Sequence, residues 1–177
     1  MYKRQYTERD APRPLSVYGA SKAEAERRVL EILPSALVVR TSAFFGPWDA
    51  SNFLMRSLQA LGRGEPCPAA ADIIVSPTYV PDLAHATLDL LLDGERGVWH
   101  LTNEGAFSWY AFARDAALAC GLPVDGLEAV PADTMGWPAP RPAYSALSSV
   151  RGPVMRSTQE AIAAFAGSVR IEQGSIV

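Results

Sequence analysis

Lysine is almost absent from this chain: of 177 residues only Lys3 and Lys22 are lysines, and arginine supplies the rest of the basic charge. The net charge is −3 and the pI about 5.4, and no basic stripe runs along any segment, which excludes a nucleic-acid surface. Cysteine is scarce too. Cys67 and Cys120 lie far apart with no metal-ligand spacing and no disulfide framework, a pattern that suits structural thiols in a reducing cytoplasm. The two histidines, His85 and His100, have no Cys, His or carboxylate partner at metal spacing and read as structural, so no metal ligand is assigned. No apolar run reaches the length of a membrane span. The polar stretch Met1 to Asp10 has no apolar segment behind it and does not read as a signal peptide.

What is present is a chain able to build a core, 49% hydrophobic and 20% charged, of a length that suits one large domain or one and a half small ones. Its alanine and arginine richness suggests a GC-rich bacterial genome. Met1-Tyr2-Lys3-Arg4-Gln5 is the translation of GTG-TAT-AAG-AGA-CAG, which looks like the end of a transposon adapter used for sequencing libraries. Residues 1–5 are therefore expected to be a non-native leader, with the gene's 5′ end lost, and are kept out of fold reasoning.

The lysine that matters most lies close to a tyrosine. Tyr18 and Lys22 fall in Ser16-Val17-Tyr18-Gly19-Ala20-Ser21-Lys22, four apart, which on a helix puts both side chains on one face a turn apart. There an ammonium favours the phenolate and readies a tyrosine for proton transfer. The alternative for such a pair is a solvated helix face. Ser16 is a plausible N-cap for a helix over about 17–33, ended by Pro34. Residues 36–40 are apolar and β-branched at their centre and predict a buried parallel strand. Further helices are expected from Asn52 to Leu61, from Pro81 to Leu92 (apolar nearly all round, hence buried), over 109–120 behind Ser108, and behind the capping box Ser157-Thr158-Gln159-Glu160. Short strands are expected at 72–75, 97–101 and near 127–130, and an extended turn at 76–80. Helix and strand alternate as in an α/β protein.

Four blocks in order carry a family resemblance. They are Tyr18-Gly19-Ala20-Ser21-Lys22; Val39-Arg40-Thr41-Ser42-Ala43-Phe44-Phe45-Gly46 with Asn52-Phe53; Asp72-Ile73-Ile74-Val75-Ser76-Pro77-Thr78-Tyr79-Val80-Pro81-Asp82; and Trp99-His100-Leu101-Thr102-Asn103 with Arg141-Pro142-Ala143-Tyr144-Ser145-Ala146-Leu147. Together they resemble the dTDP-4-dehydrorhamnose reductase family of the extended short-chain dehydrogenase/reductase superfamily, in its C-terminal portion. The Gly-rich turn that would cradle a dinucleotide's phosphates has no counterpart here, and neither does the Ser or Thr that precedes the tyrosine in that family.

The resemblance implies an α/β fold, the C-terminal part of a Rossmann-like parallel sheet with a smaller α/β substrate subdomain. Residues 6–50 would belong mainly to the former and 51–177 to the latter. It implies reduction of a nucleotide-linked 4-keto-6-deoxy sugar with NADPH or NADH, NADPH favoured, the chain alone being expected inactive. Tyr18 would be the general acid and Lys22 would hold the nicotinamide ribose. Arg40, Thr41 and Ser42, just past a strand end, would lie near the cofactor, although loop capping explains Thr41 and Ser42 equally. Asn52 and Arg141 would contact the sugar nucleotide; a helix cap and a structural ion pair are their plain alternatives. Family resemblance alone brings in Mg²⁺; a homodimer and a cytoplasmic location, which the two thiols also suit, complete the expectation. Two departures bear on the substrate: Ala43 replaces a tryptophan, and Ile73 and Val75 replace a glutamine and a glycine. Another extended short-chain enzyme, an epimerase or dehydratase, and a non-catalytic sugar-nucleotide- or NADP-binding subunit stay open as readings.

Overall fold

The computed structural model describes residues 5–169 and the backbone of 171–172 and 175–176, so Met1 to Arg4 of the expected leader lie outside the described residues. Gln5 is described, and its amide donates to the Gly105 and Leu147 carbonyls at 3.1 and 3.0 Å. Helix α1 (Val17–Ile32) starts at Ser16, whose hydroxyl accepts the Gly19 N–H at 3.1 Å. Strand β1 (Leu37–Arg40) and the short β2 (Phe44–Phe45) follow, then α2 (Phe53–Gly62) behind its Asn52 cap. Strands β3 (Cys67–Ala70), β4 (Ile74–Val75) and β5 (Thr78–Tyr79) lead into α3 (Val80–Leu92), with Pro81 in its first turn. Next come β6 (Gly97–His100), β7 (Phe107–Ser108), α4 (Trp109–Ala119) and β8 (Leu127–Val130). A 3₁₀ turn (Ala132–Met135), α5 (Thr158–Ser168), β9 (Ile171–Glu172) and β10 (Ser175–Ile176) complete the order.

The strands pair two by two. β1–β6, β2–β5 and β3–β8 are parallel; β4–β7 and β9–β10 are antiparallel. Register along β1–β6 runs from Leu37 beside Gly97 to Arg40 beside His100, so a guanidinium and an imidazole end the pair side by side.

Two apolar clusters divide the interior. The larger joins α2, α4 and α5 over β3 and β8, with Phe45 at its centre. Phe45 meets Tyr79 at 5.2 Å between ring centroids, and Phe112 and Phe165 edge-on at 5.1 and 5.8 Å. The smaller gathers Ala86, Leu90, Trp99, Leu101 and Met155, with Leu37, Val39 and Leu83, between α3 and β1–β6.

Two expectations about burial need correction. α3 is not buried all round: Ala86 and Leu90 are inside, while Leu88, Leu91 and Leu92 face solvent. Its inner face covers Trp99 and Leu101, and no described element covers the outer one. The strand expected to be buried at 36–40 is only half-buried along β1, and α1 has no buried residue, with Val17 and Ile32 88% and 85% exposed. Strands also arise where none was expected, at β2, β3, β7, β9 and β10. Cys67-Pro68-Ala69-Ala70 has neither alternation nor β-branching; its strand form comes from pairing with β8, an effect of tertiary context.

Candidate active site

Capping and strand register fix most of the side chains of interest. On α1, Lys22 Nζ lies 5.4 Å from the Tyr18 ring centroid, as their four-residue spacing requires. Tyr18 is 73% exposed, and among the described residues Lys22 has no carboxylate partner. The ammonium's donors are thus free to meet a hydroxyl-bearing ligand.

Arg40, the last residue of β1, is engaged on both sides. Its Nε and Nη2 donate to the Glu26 carboxylate at 2.8 and 2.5 Å, and its Nη1 faces His100 Nε2 at 3.3 Å. His100 Nδ1 is 3.0 Å from the Ser148 carbonyl, which only accepts. Nδ1 therefore carries the proton, and Nε2 of the neutral ring accepts from Arg40. Burial pushes the His100 pKa below its ordinary value; the Glu8 carboxylate opposes this and Arg40 adds to it.

Glu8 closes the arrangement. Its carboxylate accepts the His100 N–H at 2.9 Å, the Ser149 hydroxyl at 2.6 Å and the Val150 N–H at 2.9 Å. Burial pushes its pKa up, but those hydrogen bonds outweigh burial and hold it at about 2. Arg40, His100 and Tyr144 line a cavity of about 500 Å³ with Tyr6, Asp10 and Arg13.

The remaining expected residues are dispersed. Thr41 Oγ1 donates to Thr78 Oγ1 at 3.3 Å, and Ser42 follows it half-buried. Ala43 comes next with φ of 27°, the left-handed region that disfavours an L side chain, and its carbonyl accepts the Thr78 N–H at 2.9 Å. Asn52 lines a small cleft with Phe44, Trp48 and Val80, but its amide is occupied: Oδ1 accepts the Met55 N–H at 3.0 Å and Nδ2 donates to the Asp49 carbonyl at 2.7 Å. Arg141 stacks over the Trp137 ring at 4.5 Å and lines a cavity of about 730 Å³ with Phe53, Arg56, Arg63 and Trp109. The expected residues therefore do not share one cavity, and Tyr18 and Lys22 line none of these three. Among the described residues no three His, Cys, Asp or Glu side chains come together as metal ligands, so no residue is assigned to Mg²⁺. None of their helices is long and apolar enough to cross a membrane.

Sequence reasoning passed over Glu8 and Glu26 and gave His100 only a structural role. Their signal is spatial: Glu8 and His100 are 92 positions apart, and only the fold brings them together.

Comparison with known proteins matches residues 2–164 to the RmlD substrate binding domain. A dTDP-4-dehydrorhamnose reductase of Mycobacterium tuberculosis (strain CDC 1551 / Oshkosh) is 40% identical over 149 residues, 82% of this chain and 48% of that protein. One from Mycolicibacterium smegmatis is 36% identical over 171 residues, 90% of this chain and 52% of that protein. The crystal structure of dTDP-4-dehydrorhamnose reductase from Bacillus anthracis, in complex with NADP, superposes with a TM-score of 0.84 at 31% identity, covering 93% of this chain and 59% of that one. The α/β architecture expected from sequence is borne out as the C-terminal part of such a Rossmann-fold enzyme. The chain spans about half the length of the curated relatives it matches.

Proposed function

The chain belongs to the RmlD substrate binding domain family, and from that premise we propose that it serves the NADPH-dependent reduction of a nucleotide-linked 4-keto-6-deoxy sugar of the dTDP-4-dehydrorhamnose type, in the cytoplasm. The observation that carries the reading is the Tyr18–Lys22 pair: an exposed phenol beside an ammonium with no ion-pair partner among the described residues, on one helix face. When bound, a nicotinamide cofactor supplies the hydride. Tyr18 gives its phenolic proton to the carbonyl oxygen as negative charge develops there. Lys22, beside the phenol, offers its N–H donors to a ribose hydroxyl. Thr41 and Ser42, just past the C-terminal end of a parallel strand, stand where open α/β sheets place ligands.

The cavity at Arg141 suits the nucleotide. Three arginines, Arg56, Arg63 and Arg141, favour a diphosphate, and Phe53, Trp109 and Trp137 line the same cavity beside them. Arg63 is already paired with Glu65 at 2.8 Å, which leaves Arg56 and Arg141, the latter stacked on Trp137, as the phosphate ligands. Asn52 caps α2 and closes the turn from Asp49, so it would act on the substrate by shaping that loop. A division in which 6–50, with α3 and β6, is mainly the cofactor-side part and the remainder of 51–177 mainly holds the sugar nucleotide is supported by the smaller cluster, which joins β1 to α3 and β6, while Phe45 belongs to the larger one.

The test is NADPH oxidation by the full-length protein with dTDP-4-dehydrorhamnose, alongside Tyr18→Phe. Turnover in the parent and its loss in the variant supports the reading. Equal, negligible rates would sink it and favour a sugar-nucleotide-binding subunit. Ala43 and the buried apolar Ile73, at positions where the family carries tryptophan and glutamine, give that second reading its weight.

A further inference from the structure

We propose that Arg40 and His100 are positioning residues that seat the helix bearing Tyr18 and Lys22, acting through Glu26. The catalytic part of this inference rests on the reductase reading; the structural part does not. α1 contributes no buried residue, and a 16-residue helix is marginal in water by itself. Its ion pairs Arg27–Glu24, Arg27–Glu31 and Arg28–Glu24 are internal and exposed. Among the described residues, the ion pair that ties α1 to another element is Glu26–Arg40, with side chains only 18% and 21% exposed.

Position gives that tie its leverage. Glu26 lies four residues beyond Lys22 and eight beyond Tyr18, so all three occupy one face of the helix. A two-pronged guanidinium grip fixes the rotation of that face as well as its distance. Arg40 is itself held: strand register puts it beside His100, whose tautomer is set by Ser148 and whose backbone N–H is bound by Glu8. The result is a line of contacts from the 148–150 loop through Glu8, His100 and Arg40 to the helix.

The line has a pH sense. The charged groups facing the His100 ring are Arg40 from β1 and Glu8 from the lead-in, with the Ser148 and Tyr6 carbonyls also against it. Asp10 and Arg13 line the cavity on one side and Glu104 the cavity on the other. A proton on Nε2 would oppose a donor to the Arg40 N–H and loosen its seat. Neutral His100 is the seated state, so seating is complete above the ordinary histidine pKa of about 6.5 and is lost as pH falls through the lowered value.

The experiment is amide hydrogen exchange, followed by mass spectrometry, on this chain and its variants Arg40→Ala, Arg40→Lys, Glu26→Arg with Arg40→Glu, and His100→Gln. Arg40→Ala should speed exchange of α1 about tenfold or more while α2, α4 and α5 keep their protection. Arg40→Lys, a point charge without the fork, should restore little of it, and the charge swap should restore much of it. After correction for intrinsic rates, α1 should exchange faster below pH 6.5 in the parent but not in His100→Gln. Unchanged α1 exchange in Arg40→Ala, or equal loss of protection throughout the core, would overturn the proposal. In the full-length protein, Arg40→Ala should lower kcat with little change in KM for the sugar nucleotide. Absence of turnover in the parent would count against the reductase reading and leave the exchange result standing.

Discussion

Glu8→Gln probes how the amino-terminal lead-in is fastened. The side chain keeps its shape, so the change is one of charge and donor pattern. The glutamine oxygen can still accept from His100 N–H and Ser149 Oγ, but its NH₂ then faces the Val150 N–H, donor against donor. One lost hydrogen bond at about 1 kcal/mol, and two weakened by loss of charge at about 0.5 kcal/mol each, give about 2 kcal/mol. The pKa offers a separate route to the magnitude. A fall from 4.5 to about 2 corresponds to at most about 3.4 kcal/mol at 1.36 kcal/mol per unit, and discounting for solvent screening of a partly exposed group brings this to about 1–2 kcal/mol. Urea unfolding followed by tryptophan fluorescence reads the difference; with a slope of about 2 kcal/mol/M the midpoint should fall by roughly 1 M at pH 7. The sign with pH is fixed. The folded carboxyl titrates below the unfolded one, so its contribution is complete above about pH 4.5 and lost as pH falls toward 2. Parent and variant should therefore converge in acid. Equal midpoints at pH 7, or a gap that persists undiminished at pH 2, would refute the reasoning.

Three further outcomes can be checked by the same unfolding measurements. Asn103 is fully buried, accepting the Tyr79 N–H at 2.7 Å and donating to Asp82 and the Arg156 carbonyl. Asn103→Leu should cost about 3 kcal/mol, much of it from the stranded Tyr79 N–H. Phe45→Ala empties the centre of the aromatic cluster and should cost about 3–5 kcal/mol, lowering Tm by about 10 °C; a loss below 1 kcal/mol would contradict the packing described. Ala43→Gly relieves a left-handed backbone and should raise stability by up to about 1 kcal/mol, or leave it level once glycine's unfolded-state entropy is counted; a clear loss would contradict the φ at this position.

Local chemistry was legible in the sequence. Ser16, Asn52, Ser108 and the Ser157–Glu160 box start their helices where expected, because a cap needs only a side chain and an N–H three residues on. Tyr18 and Lys22 were equally legible, since helical spacing fixes their geometry. The expectation failed where the answer lay in a distant segment. The strand form of Cys67–Ala70 depends on β8, and the exposure of Leu88, Leu91 and Leu92 depends on what lies over α3. The partners of Arg40 show the same limit: a strand-end arginine beside Thr41 and Ser42 reads as a ligand contact, whereas Glu26 and His100, which occupy it here, are 14 and 60 positions away.

Lys22 is the one ε-ammonium among the described residues. Most proteins answer amine-directed reagents with a crowd of signals, but here such chemistry has almost a single address, on the helix face of interest. A ¹³C-methyl group placed on that nitrogen would sit near the Tyr18 ring, 5.4 Å from the amine, where ring current spreads chemical shifts. Its resonance would register a nucleotide's arrival, the ionisation of the phenol or a rotation of the helix without any turnover. The scarcity of lysine thus makes this protein its own isotopic reporter.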